Sequence, residues 1–190
     1  MANEHGADEQ TQFLTFHLVD ETYAVSILRV REIIEFGTIT RVPNMPPSIR
    51  GVINLRGAVV PVVDLVKRFK LGESCVTKRT CVIIAEFGSS DVPVVMGLMA
   101  DSVSQVINLP PGEIEPPPSF GTAIRADFLT GLGKVGKKFV LILNLDRVLS
   151  QTELLSANEV RETAEDLLQK DERLPVPVPA AGGDRGEAHA

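Results

Sequence analysis

The sequence predicts a mainly β protein in which two barrels or curled sheets pack together. First, the apolar residues are mostly Val, Ile and Leu, since the 190 residues include eight Phe, one Tyr and no Trp. Branched side chains of this kind suit the pleated surface of a strand. Second, short apolar runs alternate with turns, and their order in the second half repeats that in the first. Each half is too small to hold a core alone, so we expect shared packing.

The first strand is predicted over 13–19, where Leu14, Phe16 and Leu18 share one face. A turn and a second, shorter strand follow over 20–25.

A short helix is predicted next. Ser26 can cap its N-terminus, and the apolar residues between Ile27 and Ile34 recur at helical spacing. Gly37 ends this helix, and 38–42 is predicted to be a short strand.

A tight hairpin is predicted where the runs 51–55 and 58–63 flank the dipeptide Arg56-Gly57. Pro61 cannot donate a ladder hydrogen bond, so we expect it at an edge, at a bulge or facing outward. A short helical turn at 64–69 completes the first half.

The second half follows a polar stretch at 70–78 and repeats this order. Its predicted elements are strands at 80–87 and 93–99 joined by a turn at 88–91, a segment at 101–107 equivalent to 29–34, a hairpin of 128–132 and 138–144, and a closing segment at 145–149.

Three regions are predicted along the chain. Residues 1–11 are polar and expected to be disordered, and 12–155 form the folded domain of two subdomains. In 156–190, apolar residues at helical spacing predict a helix to about Lys170, followed by a disordered Pro-rich tail.

Composition excludes several classes of protein. The formal net charge is -6 and the sequence pI is near 5.1, so the basic stripe of a nucleic-acid-binding protein is missing and an anionic membrane surface would repel the chain. Cys75 and Cys81 are too few for a disulfide framework. Neither a signal peptide nor an apolar membrane segment is recognisable. We expect a cytoplasmic protein that binds no nucleic acid and does not insert into membranes.

No catalytic or metal-binding constellation is recognisable. The three histidines are His5, His17 and His189, of which only His17 lies in a predicted strand. Neither a zinc-binding motif nor an activated nucleophile is present. The sequence therefore predicts no enzyme activity, no metal and no cofactor.

The glycine-rich segment Gly131–Lys137 matches the pattern of a phosphate-binding loop. However, Lys138 stands where such a loop needs Ser or Thr, and 139–143 is a predicted strand rather than a helix. A hairpin turn that needs positive φ explains the glycines better. A nucleotide-binding protein built on this segment remains the less favoured alternative.

Two charged residues, Glu32 and Arg56, lie beside strongly apolar segments. Arg56 could simply be the solvated tip of a hairpin. Alternatively, Arg56 and Glu32 orient each other beside an exposed Val30. An apolar surface with such a polar anchor is suited to binding a partner helix.

Two long segments, 23–33 and 47–65, resemble the CheW family of chemotaxis adaptors. The most specific matches are the Asn-Leu-Arg-Gly sequence at 54–57 and the Pro-Val-Val-Asp-Leu sequence at 61–65. The segments 101–106 and 128–133 also occur in family order and spacing. The resemblance covers about residues 12–155.

The resemblance implies a fold of two intertwined five-stranded SH3-like β-barrels, with short helices and a C-terminal helix. It also implies a non-catalytic adaptor that couples methyl-accepting chemoreceptors to the histidine kinase CheA. The expected partners are the cytoplasmic tip of the receptors and the regulatory domain of CheA, in arrays at the membrane. An adaptor of a related gliding, pili or second-messenger pathway is the alternative within the family.

Site residues follow from the same resemblance. Val30, Glu32 and Arg56 fall at positions linked to receptor binding, and Arg56 is expected to pair with Glu32. The other residues of the hairpin motif are expected to hold its shape; they are Asn54, Leu55 and Gly57. A receiver domain like that of CheV relatives is not recognisable, so we do not expect control by phosphorylation in cis.

Overall fold

The computed structural model describes residues 11–88, 93–119 and 121–171, and two sheets dominate it. The first sheet has the strand order β8-β1-β2-β11-β10-β9. Its strands are β1 (Gln12–Leu18), β2 (Glu21–Ser26), β8 (Ser102–Asn108), β9 (Ile114–Glu115), β10 (Leu129–Val135) and β11 (Lys138–Leu143).

The second sheet has the order β3-β6-β7-β5-β4. Its strands are β3 (Val30–Glu35), β4 (Ile49–Leu55), β5 (Ala58–Asp64), β6 (Cys81–Phe87) and β7 (Val94–Ala100). The helices are α1 (Leu65–Arg68), α2 (Leu145–Val148) and α3 (Gln151–Asp171). Each sheet takes strands from both halves of the chain, as intertwined halves require. The predicted mainly β fold is confirmed, although the sheets are open rather than closed barrels.

The two sheets repeat one topology. The strands β3, β6, β7, β5 and β4 correspond in order to β8, β1, β2, β11 and β10, and β5 and β11 make the parallel contacts. In the second sheet, the isolated bridge of Thr40 lies beside β4. It occupies the position that β9 has beside β10 in the first sheet. The predicted internal repeat is therefore present, including the equivalence of segments 29–34 and 101–107, which both contribute edge strands.

Three apolar clusters fill the molecule. The central core lies between the sheets and contains Phe16 and Ile83. The core of the second sheet lies on that sheet's other face and includes Val82 and Ile84, and the core of the first sheet is built around Leu109. Strands such as β6 are buried on both faces, which explains why their sequences are continuously apolar.

The predicted helix after Ser26 is wrong. Only Ile27–Arg29 forms one 3₁₀ turn, the Ser26 side chain makes no capping hydrogen bond, and Val30–Glu35 is strand β3. Half-buried and exposed residues alternate along β3, which pairs with β6. Tertiary pairing outweighs the helical spacing of the apolar residues. The strand predicted at 38–42 is likewise reduced to the bridge between Thr40 and Val52.

Pro61 is buried rather than outward-facing, and β5 lies between β4 and β7. Its partner in register is Val52, whose N–H and C=O both bond to Thr40, on the side away from β5. By the alternation of an antiparallel ladder, the nitrogen of Pro61 also points away from β4. The ladder with β7 begins only at Val62. The missing N–H therefore interrupts neither ladder.

The segment Gly131–Lys137 is part of a β-hairpin. The strands β10 and β11 pair along their length, from Leu129 opposite Leu143 to Val135 opposite Lys138. The phosphate-loop hypothesis is therefore wrong. Gly136 has a positive φ of 62°, as a turn requires. Gly131 and Gly133 do not have a positive φ. A Cβ on Gly131 would lie 2.7 Å from the carbonyl oxygen of Glu115, and a Cβ on Gly133 would overlap Leu109. Close packing explains these two glycines better than turn conformation.

The predicted C-terminal helix is present as α3, which ends at Asp171. The segments predicted to be disordered, 1–10 and the tail from 172, lie outside the described residues, as does most of the turn predicted at 88–91. Among the helices of the described residues, none has the length and apolar character needed to span a membrane.

Candidate partner-docking site

The tip of the β4–β5 hairpin projects Arg56 away from the sheet. Arg56 and Gly57 have φ of 53° and 88°, and positive φ at both central residues defines a type I′ turn. The Asn54 Oδ1 atom accepts a hydrogen bond of 2.8 Å from the Gly57 N–H. Asn54 and Gly57 therefore hold the turn conformation, while Leu55 packs against the core of the second sheet.

Arg56 forms a bidentate ion pair with Glu32 on β3. Its Nη1 and Nη2 atoms donate to Glu32 Oε1 and Oε2 at 3.0 and 2.9 Å. The Arg56 side chain is 79% exposed and that of Glu32 is 27% exposed. Because β3 and β4 are the two edge strands of the second sheet, the pair links its edges. An exposed pair adds only about 0–1 kcal/mol of stability, but bidentate geometry fixes both side chains.

Val30 does not belong to the same surface as Glu32. A β-bulge separates the two residues: Val30 pairs with Ala85, whereas Glu32 pairs with Ile84. Ala85 faces the central core and Ile84 faces the core of the second sheet. Residues in register share a face, so the bulge places Val30 and Glu32 on opposite faces. Val30 is half-buried against the central core, which corrects the expectation of an exposed valine.

An open groove of about 310 Å³ lies beside the ion pair. Apolar side chains from strands β4 to β7 form its floor, among them Leu55, Val60 and Val95. Charged side chains form its rim; they are Arg31, Glu32, Arg56, Arg161 and Glu165. An apolar floor inside a charged rim suits an amphipathic helix.

The helix α3 forms one side of this groove. It packs against β5, and its Ala157 is completely buried. On the other side of α3 lies a second, mostly apolar groove of about 270 Å³, between Val160 and the segment Thr40–Pro43. The helix is thus flanked by two grooves.

A capping box fixes the start of α3. The Ser150 Oγ accepts from the Glu153 N–H at 3.2 Å, and the Glu153 carboxylate accepts from the Ser150 N–H at 2.9 Å. The carboxylate also accepts from Ser48 Oγ at 2.8 Å and lies 3.3 Å from Arg68. These contacts anchor the helix to both the β4 and α1 regions.

The pKa of Glu153 lies below the ordinary glutamate value. Burial alone would raise it, but the hydrogen bonds from Ser150 and Ser48 and the charge of Arg68 together outweigh burial. A depressed folded-state pKa means that the ionised carboxylate stabilises the fold above the unfolded-state pKa of about 4.3. This contribution is lost as the pH falls through the folded-state pKa.

Replacing Glu153 with Gln should therefore lower the free energy of unfolding at pH 7 by about 1–2 kcal/mol, since charge-assisted bonds are lost. The difference between wild type and variant should shrink as the pH falls from the unfolded-state pKa through the lower folded-state pKa of Glu153, because the wild-type carboxyl is then protonated in the folded protein as well. Urea unfolding at pH 7 and pH 3 measures both. A difference that is constant with pH would show that the carboxylate charge does not anchor α3.

Sequence reasoning found Glu32 and Arg56 but missed Arg161, Glu165 and the anchor of α3. The Ser-x-x-Glu sequence at 150–153 is a recognisable capping signal. Arg161 and Glu165 are four residues apart on α3, yet no local signal indicates which part of the sheet the helix packs against.

In the part of the chain that the structure describes, no group of three or more His, Cys, Asp or Glu side chains could hold a metal ion. Burial raises the pKa of the Cys81 thiol, which disfavours the reactive thiolate.

Comparison with known proteins identifies relatives over most of the chain. Residues 12–153 match the CheW-like domain. The chemotaxis protein CheW of Klebsiella aerogenes is 35% identical over 152 residues, covering 80% of this chain and 89% of that protein. Protein FrzA of Myxococcus xanthus is 31% identical over 145 residues, covering 75% and 88%. The crystal structure of the scaffolding protein TtCheW from Thermoanaerobacter tengcongensis superimposes with a TM-score of 0.70 at 33% identity, covering 80% and 96%.

Proposed function

The chain belongs to the CheW-like family, and from this membership we propose that it is a chemotaxis adaptor that couples chemoreceptors to the histidine kinase CheA. Its relatives are chemotaxis proteins and a scaffolding protein, so the function is structural rather than enzymatic. The observation that carries the proposal at residue level is the bidentate pair of Arg56 and Glu32 beside an apolar groove.

An adaptor contributes binding free energy and geometry, and no covalent bond is made or broken. We propose that the cytoplasmic helical tip of a methyl-accepting receptor binds at the Glu32/Arg56 surface. A different face of the molecule binds the regulatory domain of CheA. Micromolar affinities, about -8 kcal/mol for each contact, suit an array that is assembled through avidity. Because Val30 packs against the central core on the opposite face of β3, the proposed contact depends on Glu32 and Arg56.

A co-sedimentation assay tests the proposal. Receptor cytoplasmic fragments assembled on vesicles are mixed with the cognate CheA, with and without this protein. We expect the protein to enter the pellet, to increase the CheA that sediments, and to stimulate phosphorylation by CheA. If the protein remains in the supernatant with both partners present, the proposed function is wrong.

The similarity to FrzA favours a second candidate within the family, an adaptor of a chemosensory pathway that does not control flagella. Deleting the gene and scoring swimming and surface motility separately distinguishes the two. Loss of swimming chemotaxis alone supports the first candidate, and loss of surface motility alone supports the second.

A further inference from the structure

The C-terminal helix α3 borders the groove in which the proposed receptor helix would lie. We propose that α3 is a wall of the docking groove and that Arg161 contacts the partner directly. The partner is then an amphipathic helix with an acidic side chain on the flank that faces α3. This inference rests on the proposed function, because it extends the same surface.

The geometry places α3 beside the ion pair without blocking it. Arg161 and Glu165 line the same groove as Glu32 and Arg56, and about 310 Å³ between them stays open. A helix that acted as a cover would fill this space with its own side chains. Leu154 and Ala157 of α3 pack against the central core, whereas Arg161 and Glu165 border the groove.

Arg161 has hydrogen-bonding capacity that the described residues do not use. Its Nε atom is buried and has no hydrogen-bond partner among them. The nearest acid contact is Glu165 Oε1 at 3.9 Å, too long for a hydrogen bond. The Nε atom itself is inaccessible, but the Arg161 side chain as a whole is 37% exposed, so a carboxylate of the partner can reach the guanidinium through its exposed part.

Charge on the rim favours an acidic partner. Arg56 is bound by Glu32, and Arg31 lies 2.8 Å from Glu86. Arg161 is the remaining rim cation, and its only ion-pair contact within the described residues is the loose one to Glu165. The rim thus presents one weakly paired guanidinium, which matches a carboxylate in charge and geometry.

The position of α3 beside the groove is also fixed by contacts with the rest of the protein. The capping box at Ser150 and the contacts of Glu153 with Ser48 and Arg68 fix the start of α3. Arg161 lies about two turns beyond Glu153 on the same helix. A prearranged wall reduces the ordering that binding requires.

The test compares Arg161→Met, Arg161→Lys and wild type for binding to the receptor cytoplasmic fragment by isothermal titration calorimetry. Methionine keeps much of the apolar stem and removes the charge. We expect Arg161→Met to weaken binding about 10-fold and to reduce its salt dependence, and Arg161→Lys to weaken it less. Arg147→Ala, which removes an exposed arginine outside the groove, should bind like wild type, and circular dichroism should show equal helix content in all variants.

Each outcome decides the inference. Unchanged binding of Arg161→Met would show that Arg161 does not touch the partner, and tighter binding would show that α3 is a cover rather than a wall; either overturns the proposal. If Arg161→Met binds normally while Arg56→Glu does not, only this inference fails. If wild type itself does not bind the fragment, the proposed function fails as well.

Discussion

Replacing Arg56 with Glu should reduce binding to the receptor fragment at least about 100-fold while the protein stays folded. The substitution removes the bidentate pair with Glu32 and places a second carboxylate next to the first. Arginine anchors of this kind commonly dominate binding energy, and like charges at an interface cost several kcal/mol. Because the pair is exposed, its loss should change the free energy of unfolding by only about 1 kcal/mol. Calorimetric titration and urea unfolding measure the two effects.

Exchanging the charges of Glu32 and Arg56 distinguishes a direct contact of Arg56 with the receptor from a role in holding the hairpin against β3. If Arg56 only holds the hairpin against β3, the double variant Glu32→Arg/Arg56→Glu restores the pair and should restore binding. If Arg56 touches the receptor, the swapped pair presents the wrong charge and binding stays weak, which is the result we expect. Arg125→Glu is the matched control, since Arg125 pairs with Asp127 at 2.6 Å, is 73% exposed and lies outside the groove. An equal loss of binding in this control would contradict the assignment of the site.

The hairpins were predictable because their signals are local. Two apolar runs around Arg56-Gly57 specify a tight turn whatever the rest of the chain does, and the second hairpin repeats this pattern. The pairing of Arg56 with Glu32 is not local: the residues alone left it as one of two interpretations of Arg56, beside a solvated hairpin tip, and the family resemblance favoured it.

The conformation of β3 shows where local reasoning fails. Apolar residues between Ile27 and Ile34 fit helical spacing, but pairing with β6 makes the segment a strand. The bulge between Val30 and Glu32 then reverses the side to which the following residues point. No local sequence feature predicts a bulge at this position. The sequence alone therefore could not show that Val30 and Glu32 lie on opposite faces of β3.

The position of α3 could not be predicted for a related reason. Its apolar stripe indicates an amphipathic helix, but a stripe does not say which surface it covers. Only the contacts with β5 and the anchor through Glu153 bring Arg161 to the groove.

The repeated topology also explains two glycines that sequence reasoning did not single out as a pair. Gly51 on β4 and Gly131 on β10 are equivalent, and each lies at a register shift in its hairpin. A Cβ on Gly51 would collide with the carbonyl oxygen of Thr40, and one on Gly131 would approach that of Glu115 at 2.7 Å. In both sheets, glycine admits the backbone of a short neighbouring segment.

Replacing Gly51 with Ala should therefore be among the most destabilising single substitutions, by about 3–5 kcal/mol of a total of about 5–15 kcal/mol. Its φ of 149° is unfavourable for any side chain. The added Cβ would also separate Thr40 from Val52, which are joined by hydrogen bonds of 2.9 and 2.8 Å. Urea unfolding followed by circular dichroism measures the change.

Two glycines serve as controls for Gly51→Ala. Gly37 is exposed and has nothing within 4 Å of an added Cβ, so Gly37→Ala should change stability by less than about 1 kcal/mol. Gly131 has the crowded environment without the positive φ, so Gly131→Ala should fall between the two, at about 1–3 kcal/mol. This ranking separates crowding from backbone strain, because Gly131→Ala suffers only the first. Equal effects of Gly51→Ala and Gly37→Ala would mean that the Thr40 bridge does not hold β4 in place.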